Sequence, residues 1–580
     1  MRHLRMVLVA MLLVARSAFA LGPGDLDPDF NGGQPVTFDI AATAPRVTGF
    51  GSVLVDGDGR YVAVGSSTDA DGKTALAVVR VTPQGLPDDT FGAGGAVVRQ
   101  YGQGASPFGQ SLSAALSPSG LPVAGMYASM ADGRSGAGAA RFLSDGTPDP
   151  GFGSGGGVVV QVGVAPASGT GGYVGVAGDD TVYASGIFEP NSPSGNRKLL
   201  LLKFDAAGVL IPFFGNGVAS GAFIGSFSQY AMDTETQGGP VVPLESGKVL
   251  VAGLTASADS RQQIFVARFT SAGALDPAFG TTGPGYTDVK ASDPALASGD
   301  SQASLMTVGS DGSIYVAGRA VDSNGRFAMS VTRFGAGGAV DATFGSQGTR
   351  RVQVAEGLDD DRRSDTRAVM VDADGRILLL GSARDAQNSS RPVLVRMLSD
   401  GTLDGSFGTG GVLGLQFGSG MAEGVGGAAL TSDGKLVVAG SFGNEAPIVG
   451  FVARILLSTP PPPPPPPPPT GCSTDVTFDA IVCRIDALRT TVDERVAAGS
   501  VHDRLSTLLA SAGAKTADAS MAAAGRARKK AVKKAVRPFA AIKRVLASKS
   551  GRKLERALRD ELKSTAHGLQ VELRTLAKAP

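Results

Sequence analysis

Residues 266–283, VARFTSAGALDPAFGTTG, hold the pattern on which the whole chain is built. A short apolar strand ends at Arg268-Phe269, a turn leads to Leu275-Asp276, and a glycine-rich exit follows Phe279-Gly280. The phenylalanine of this turn recurs at intervals of 61, 61, 62, 65, 65 and 63 residues, as Phe30, Phe91, Phe152, Phe214, Phe279, Phe344 and Phe407. A nearly constant period is typical of a repeat architecture, so we expect seven similarly built units.

Two further markers accompany the phenylalanine. The first is a turn, usually Asp-Gly or Ser-Gly, followed by an apolar strand that ends in glycine, as in DGRYVAVG (58–65). The second is a strand that ends in a cation: Arg80, Arg141, Lys203, Arg268, Arg333, Arg396 or Arg454. With one more strand on either side, each unit has about four short strands and no room for a helix. The pattern predicts a mainly β fold, a seven-bladed β-propeller of four-stranded blades over residues 21–457.

The two ends of the repeat region are complementary. The chain enters at a Phe-Gly-type turn, Asp27 to Phe30, with no strand pair before it, and it leaves after Arg454 with no such turn to follow. We therefore predict that residues 26–40 complete the last blade, which would remove the exposed sheet edges and close the ring.

An aspartate lies three residues before the phenylalanine in six of the seven units, and the cation lies eight residues before that aspartate wherever the unit is complete. The exception has Lys203 in place of arginine and Ile211 in place of aspartate. Because a guanidinium fork matches a carboxylate with two hydrogen bonds, we predict one pair per blade. The predicted pairs are Arg80–Asp88, Arg141–Asp149, Arg268–Asp276, Arg333–Asp341, Arg396–Asp404 and, across the closure, Arg454–Asp27.

The strand of the D-G-K-x-x-V-A-G type, the Arg-Phe strand end and the L-D-x-x-F-G turn resemble the delta-sixty repeat family of bacterial exported proteins. The resemblance covers about three quarters of the chain, and it implies a propeller-like fold in an exported protein. The family has no established activity, so the resemblance implies no catalytic residues. The resemblance is weakest over residues 187–217, where Ile211-Pro212-Phe213 replaces the acidic turn.

The N-terminus has the pattern of a secretion signal. Arg2 and Arg5 precede the apolar run Met6–Ala15, and Ala18-Phe19-Ala20 fits the small-x-small cleavage rule. We predict a signal peptide over residues 1–20 and a secreted, periplasmic or cell-surface protein. Ten apolar residues are too few for a membrane-spanning helix.

A linker and a second domain follow the repeats. Residues 458–470 include ten consecutive prolines, which indicates a stiff polyproline spacer, with a docking site for a proline-recognition module as the alternative. The only two cysteines, Cys472 and Cys483, come next. In an exported chain two nearby cysteines predict a disulfide; a metal pair is the alternative, and no histidine is clustered with it.

Residues 471–580 read as a small α-helical bundle with a basic character. Three-four spacing of apolar residues predicts four helices, with Ser500 and Asp503 as a capping box for a short second helix through Leu509. This domain has 22 Lys and Arg against 11 Asp and Glu, whereas residues 21–470 have 28 against 41. The densest basic run predicts a polyanion contact through Arg526, Arg528, Lys529, Lys530, Lys533, Lys534 and Arg537. A merely solvated face, or contact with the acidic propeller, are the alternatives.

Catalytic chemistry is hard to find in the sequence. Histidine occurs only at positions 3, 502 and 567, so residues 21–457 contain neither a Ser-His-Asp triad nor a histidine-bound metal. The charge cluster Glu356–Arg367 is expected to be a solvated loop, with a calcium site as the alternative. We expect an exported non-catalytic binding or scaffold protein without cofactors, whose partner is an extracellular or cell-envelope protein or glycan. The alternative is an exported propeller hydrolase or lyase with carboxylates and calcium in the channel. Strands such as Val249–Gly253, taken as innermost, are apolar and favour the former.

Overall fold

The computed structural model describes residues 21–578 except 44–45, 102–112, 163–167, 191–196, 217–220, 226–235, 257–261, 297–299, 355–363, 385–389, 419–422, 444–446, 459–471, 498 and 524. The chain divides into two compact units, Met1–Thr459 and Pro460–Pro580. The predicted signal peptide and nearly all of the predicted polyproline linker lie outside the described residues.

The first unit consists of short strands. In chain order they are β1 (Val36–Phe38), β2 (Thr48–Val55), β3 (Tyr61–Thr68), β4 (Thr74–Val81), β5 (Ala96–Arg99), β6 (Ala114–Leu116), β7 (Pro122–Ser129), β8 (Ser135–Arg141), β9 (Gly157–Val160), β10 (Ser168–Val176), β11 (Val182–Glu189), β12 (Lys198–Phe204), β13 (Ala222–Gly225), β14 (Thr236–Pro243), β15 (Val249–Ala256), β16 (Gln262–Phe269), β17 (Tyr286–Val289), β18 (Ser301–Val308), β19 (Ile314–Val321), β20 (Phe327–Phe334), β21 (Thr349–Val352), β22 (Ser364–Val371), β23 (Ile377–Arg384), β24 (Ser390–Met397), β25 (Val412–Gly414), β26 (Glu423–Leu430), β27 (Leu436–Phe442) and β28 (Val449–Ile455).

These strands form seven four-stranded antiparallel sheets, the blades of a β-propeller. Six blades take four consecutive strands each, from β2–β5 to β22–β25, and the seventh has the order β26-β27-β28-β1. The first strand of each blade, in chain order, faces a cavity at the centre of the ring. The predicted fold is confirmed: seven blades of four strands, followed by four helices.

The predicted closure is also confirmed. Strand β1 pairs antiparallel with β28, with Val36 opposite Val452 and Phe38 opposite Gly450. The N–H of Asp27 donates to the carbonyl of Arg454 at 2.9 Å. The N-terminal segment therefore supplies the outermost strand of the last blade, so that the two ends of the repeat region are held in one sheet.

The glycine that ends each apolar strand has a steric cause. The innermost strand carries a β-bulge in six blades, and the bulge brings its backbone close to the second strand. A Cβ at Gly65 would lie 2.0 Å from the carbonyl oxygen of Gly49, and one at Gly318 would lie 1.9 Å from that of Gln302. Only glycine fits there. The bulged positions lie on the innermost strands, and we call them the bulge ring: Gly51, Gly172, Gly239-Pro240, Ser304, Arg367 and Gly426.

The recurrent phenylalanine packs on a glycine of the next blade. Phe279 is 1% exposed, and a Cβ at Gly338 would lie 2.7 Å from its ring. The N–H that follows the ring, on Gly280, donates to the carbonyl of Gly337 at 2.9 Å. The same packing recurs at six junctions: Phe30–Gly85, Phe91–Gly146, Phe152–Gly208, Phe214–Gly273, Phe279–Gly338 and Phe344–Gly401. Phe407 instead shares an apolar cluster with Leu457, because the chain leaves the ring at this turn.

The second unit contains four helices, α1 (Phe478–Arg495), α2 (Ser500–Met521), α3 (Arg526–Ala547) and α4 (Arg556–Leu576), with a 3₁₀ turn at Gly551–Lys553. Their apolar faces share one core, which includes Ile485, Leu509, Phe539, Leu562 and Leu573.

The prediction of a short α2 was wrong. The helix continues to Met521 on small buried residues, among them Ala512, Thr516 and Ala519, which a search for large apolar residues overlooks. The predicted capping box was wrong as well, since the N-cap is Gly499 and not Ser500, and glycine has no side chain that could cap the helix. The predicted disulfide is present: Cys472 and Cys483 are joined, with their Cα atoms 5.6 Å apart. None of the described helices is long and apolar enough to cross a membrane.

The contact between phenylalanine and glycine generates a prediction about stability. Gly338→Ala is expected to lower the free energy of unfolding by about 1–3 kcal/mol more than Gly434→Ala, because the new methyl group overpacks against the buried ring of Phe279. Both glycines have positive φ, 86° and 77°, so both variants carry the backbone strain of a left-handed alanine. Gly434 has open space where its Cβ would lie.

Urea unfolding of the two variants beside the unmodified chain measures this difference. Equal losses in both variants would show that backbone strain alone matters and that the ring contact contributes nothing.

Candidate functional site

Five of the six predicted blade pairs have the same geometry. In each, arginine Nε donates to Oδ2 of the aspartate: Arg80–Asp88 at 2.7 Å, Arg141–Asp149 at 2.6 Å, Arg268–Asp276 at 2.7 Å, Arg396–Asp404 at 2.8 Å and Arg454–Asp27 at 2.6 Å. The other carboxylate oxygen caps the turn; Asp88 Oδ1, for example, accepts the N–H of Thr90 at 3.0 Å. One carboxylate thus fixes both a strand end and the turn before the phenylalanine.

The same arginine also reaches the next blade. Nη1 of Arg268 donates to the carbonyl of Ala336 at 3.1 Å, and Nη1 of Arg454 donates to that of Pro83 at 2.7 Å. The guanidinium of Arg268 lies over the Phe279 ring, 4.6 Å from its centroid. We call this unit of arginine, aspartate and phenylalanine, with the glycine turn of the following blade, the blade seam. The arginine, the aspartate and the phenylalanine were identified from the sequence, but the glycine turn of the following blade was missed, and hence also that the seam joins two blades.

The fifth blade departs from the pattern. Arg333 Nη1 lies 3.4 Å from Asp341 Oδ2, whereas Nη2 contacts Asp311 Oδ2 at 3.2 Å and Ser313 Oγ at 3.0 Å. Position 313 follows the Asp-Gly turn, and the corresponding residue is a cation in four other blades: Arg60, Lys248, Arg376 and Lys435. With serine there, the arginine turns toward the Asp-Gly turn instead.

The third blade lacks the carboxylate, as the sequence shows. Lys203 Nζ still donates to the carbonyl of Ser271 in the next blade at 2.9 Å, and Phe214 still packs on Gly273. Without an aspartate to cap the turn, Phe213 has φ 66° and a side chain that is almost fully exposed. The seam therefore tolerates loss of its ion pair but keeps its contact with the following blade.

A second cation strengthens two seams, and sequence reasoning missed it. Lys248 Nζ contacts Asp276 Oδ2 at 2.8 Å, and Lys435 Nζ contacts Asp27 Oδ2 at 2.8 Å. The hydrogen bond from Lys248, assisted by Arg268 and opposed by burial, holds the pKa of Asp276 at about 2. Burial raises the pKa of Asp27, but the hydrogen bonds from Lys435 and the Asp29 N–H, together with the charge and hydrogen bond of Arg454, outweigh it and leave that pKa lowered.

The concave feature of the propeller is a central cavity of about 550 Å³, which we call the channel cavity. Its wall is mainly apolar and glycine-rich, and residues from the innermost strands of all seven blades contribute to it. Among the described residues that line it there is no carboxylate, and Arg367 is the one cation. Val249–Gly253, expected to be innermost, belongs to β15, the second strand of its blade; the first strand, β14, takes that place.

Arg367 lies on β22, within the segment that sequence reasoning assigned to a solvated loop. That assignment was wrong for residues 364–367; residues 356–363 lie outside the described part of the chain. The side chain of Arg367 is 52% exposed. Its charge reaches Tyr173 on β10, whose pKa is raised by burial and lowered in part by Arg367. The sequence shows an arginine at position 367, but it does not show the β-bulge that places this residue at the channel cavity.

A polar cluster lies beside Arg367, between the fifth and sixth blades. Arg319 on β19 contacts Asp365 Oδ1 at 3.2 Å, and its Nε donates to Gln302 Oε1 at 2.7 Å. Its guanidinium also stacks on the ring of Phe327, 4.6 Å from the centroid. These residues border a second cavity of about 200 Å³ that shares Ser304, Thr366 and Arg367 with the channel cavity. In the described part of the chain, no three His, Cys, Asp or Glu residues are grouped so as to hold a metal ion.

The basic run of the second unit lies on α3. This helix has nine Lys and Arg and no acidic residue. Of the predicted contact residues, Arg528 is partly buried and the others are exposed: Arg526, Lys529, Lys530, Lys533, Lys534 and Arg537. None of the seven forms an ion pair with a residue that the structure describes. We call these seven residues the α3 basic face.

Together these features define a β-propeller repeat protein with a basic helical unit. Six segments, residues 57–91, 123–152, 245–279, 309–344, 373–407 and 431–457, match the family model described as "Domain of unknown function (DUF5122) beta-propeller". The match supports a propeller repeat family, and the first five matched segments each end at a recurrent phenylalanine, Phe91, Phe152, Phe279, Phe344 or Phe407. No curated protein sequence matches the chain.

Solved structures similar to this chain have low sequence identity to it. They include the Hadza microbial sialidase Hz136 (13% identity, 66% of this chain and 73% of that one, TM-score 0.35). A Penicillium chrysogenum α-L-arabinanase covers 73% of this chain and 98% of its own at 9% identity and a TM-score of 0.33. A Trypanosoma rangeli sialidase covers 80% and 62% at 9% identity and a TM-score of 0.34. Likenesses this distant carry no information about ligand or activity.

The ion pair of the blade seam generates a prediction about pH. Asp276→Ala is expected to destabilise the fold by about 3–5 kcal/mol at neutral pH, because Arg268 and Lys248 lose a buried partner. The pKa of Asp276 is about 2 in the folded chain, below the ordinary value of about 3.9 that applies when the chain unfolds. The ionised pair therefore stabilises the fold above pH 4, and this contribution fades as the pH falls toward about 2.

Urea unfolding between neutral pH and pH 3 measures this effect as a gap between variant and unmodified chain that narrows in acid. Asp71→Ala, at an exposed turn, is the control and is expected to change stability by less than about 0.5 kcal/mol. A pH-independent gap would mean that Asp276 acts through packing and not through its charge.

Proposed function

We propose that this chain is an exported, non-catalytic binding or scaffold protein: a rigid ring with a basic helical module that contacts polyanions. The delta-sixty resemblance agrees with this proposal, since it implies exported propeller-like proteins. The pattern of residues 1–20 and the disulfide Cys472–Cys483 support export, because disulfides persist in oxidising compartments. Its partner is an extracellular or cell-envelope protein or glycan.

The observation that carries the proposal is the α3 basic face. Its exposed cations have no acidic residue on their own helix and no ion-pair partner among the described residues. Ordinary solvated helices intersperse both signs and pair them at short spacing. A one-sign face is instead the electrostatic footprint of a polyanion site, where each cation that neutralises a charge releases a counterion.

The exported hydrolase or lyase is the second candidate, with carboxylates and calcium as its chemistry. A pair of carboxylates in the channel is what glycoside cleavage requires. The only carboxylate that borders either described cavity is Asp365, and Arg319 holds it in an ion pair at 3.2 Å. This favours binding over cleavage. Hydrolysis of aryl glycosides by the full chain that disappears in Asp365→Asn would overturn our preference.

Polyanion binding is tested with the full chain and heparin or duplex DNA at several salt concentrations. Neutralising four exposed cations of α3 (K529Q/K530Q/K533Q/K534Q) is expected to reduce the slope of log affinity against log salt by about 3–4, since each contact contributes about 0.9. The control removes the same charge from the other three helices (R489Q/R495Q/R504Q/R556Q).

Equal weakening by both sets of substitutions would show that net charge, and not the α3 basic face, attracts the polyanion. Binding that does not depend on salt would contradict the proposal outright.

A further inference from the structure

The repeats allow each blade to be compared with the other six at the channel cavity. Five of the six observed bulges place glycine, glycine-proline or serine in the bulge ring, and the sixth places Arg367. The neighbouring blade departs in the same region. The residue after the strand-ending glycine is Ser66, Met126, Ile187, Leu254, Ser382 or Ser441 elsewhere, but Arg319 in the fifth blade. A fold requirement common to all blades cannot explain two arginines confined to one junction.

The charge of Arg367 is only weakly compensated by acidic residues in the described part of the chain. Its one ion-pair contact there is Nη2 to Asp365 Oδ2 at 4.0 Å, while the other oxygen of that carboxylate accepts from Arg319 at 3.2 Å. Arg319 is further fixed by Gln302 and by stacking on Phe327. Asp365 is thus engaged mainly by Arg319, and Arg367, which lines the channel cavity, has no short ion pair with a described residue.

We propose that the channel cavity binds a small organic carboxylate with an apolar body, recognised by Arg367 at the junction of the fifth and sixth blades. This inference deepens the proposed binding function and rests on it. The cavity of about 550 Å³ is in the size range of small-molecule sites. A guanidinium fork pairs with a carboxylate through two parallel hydrogen bonds.

The residues that line the cavity indicate the chemistry of the part of the ligand that lies beyond its carboxylate. Val176, Val242, Leu305 and Met306 line the cavity and are partly exposed, so they present apolar surface to it. Such a lining favours a ligand whose remaining atoms are largely apolar, with few polar groups to fix its orientation. Arg367 is the single cation of the described wall, so its charge matches that of a monoanion, whereas a phosphate dianion would carry a second charge that no other described wall residue neutralises.

The test measures binding of benzoate and hexanoate, each beside its neutral amide, to the full chain by ligand-observed NMR. Arg367→Gly installs the residue that three other blades carry in the bulge ring, so it is expected to fold. It should weaken carboxylate binding by about tenfold, the effect of losing a charge-assisted hydrogen bond, and leave amide binding unchanged. The control is Arg46→Gln, which removes a cation of matched exposure (50%) from outside the cavity wall.

A second variant is expected to change the affinity for carboxylates in the opposite direction. Asp365→Asn removes the carboxylate that competes for Arg367 and should tighten carboxylate binding by about threefold. The inference is overturned if the carboxylates do not bind, if acid and amide bind equally, or if Arg367→Gly behaves as Arg46→Gln does. Salt-dependent heparin binding, measured on the same samples, tests the α3 basic face alone. Loss of carboxylate binding would therefore contradict this inference without contradicting the proposed polyanion contact, and the reverse also holds.

Discussion

The ring depends on the blade seam, in which one arginine serves three partners. In Arg268 the guanidinium bonds the Asp276 carboxylate, covers the Phe279 ring and donates to a carbonyl of the next blade. The phenylalanine meanwhile excludes any side chain from Gly338. Each seam therefore fixes a strand end, a turn and a neighbour at once. The seams close into a ring through Arg454 and Asp27, so the edge that each blade leaves on the outside is only its short outermost strand.

Because the blades repeat, residues that the fold requires can be distinguished from residues that serve another purpose by comparing one blade with the others. The seam residues recur in nearly every blade because the fold needs them, and the third blade keeps a cation, Lys203, where its carboxylate is missing. Residues that depart from the repeat without weakening the seam need another explanation. Arg367 and Arg319 are departures of this kind, and they lie together at one junction beside the channel cavity. Phe213 is different, since the loss of the capping aspartate at Ile211 accounts for it.

The sequence was sufficient for the architecture because the markers are local and repeat. Period, turn type and the eight-residue spacing of Arg268 and Asp276 lie within one unit. What the sequence could not show is distance between units: the bond from Arg268 to Ala336 joins residues of different blades, and the bulge that places Arg367 in the channel arises from strand pairing. The long α2 was missed for another reason, since its buried face after Leu509 is built from alanine, glycine and threonine.

The two edges of the ring are under different constraints. In an antiparallel blade the turns after the first and third strands lie at one edge, and there the seams form. The turn between first and second strands accordingly has five residues in every blade, from 56–60 to 431–435. The connections from the last strand to the next blade lie at the other edge and differ in length, from 161–167 to 100–113. The described seams all lie at the first edge, so they do not restrict the length of these connections. The turn length is therefore constant at the edge where the seams form, and the connection length differs from blade to blade at the other.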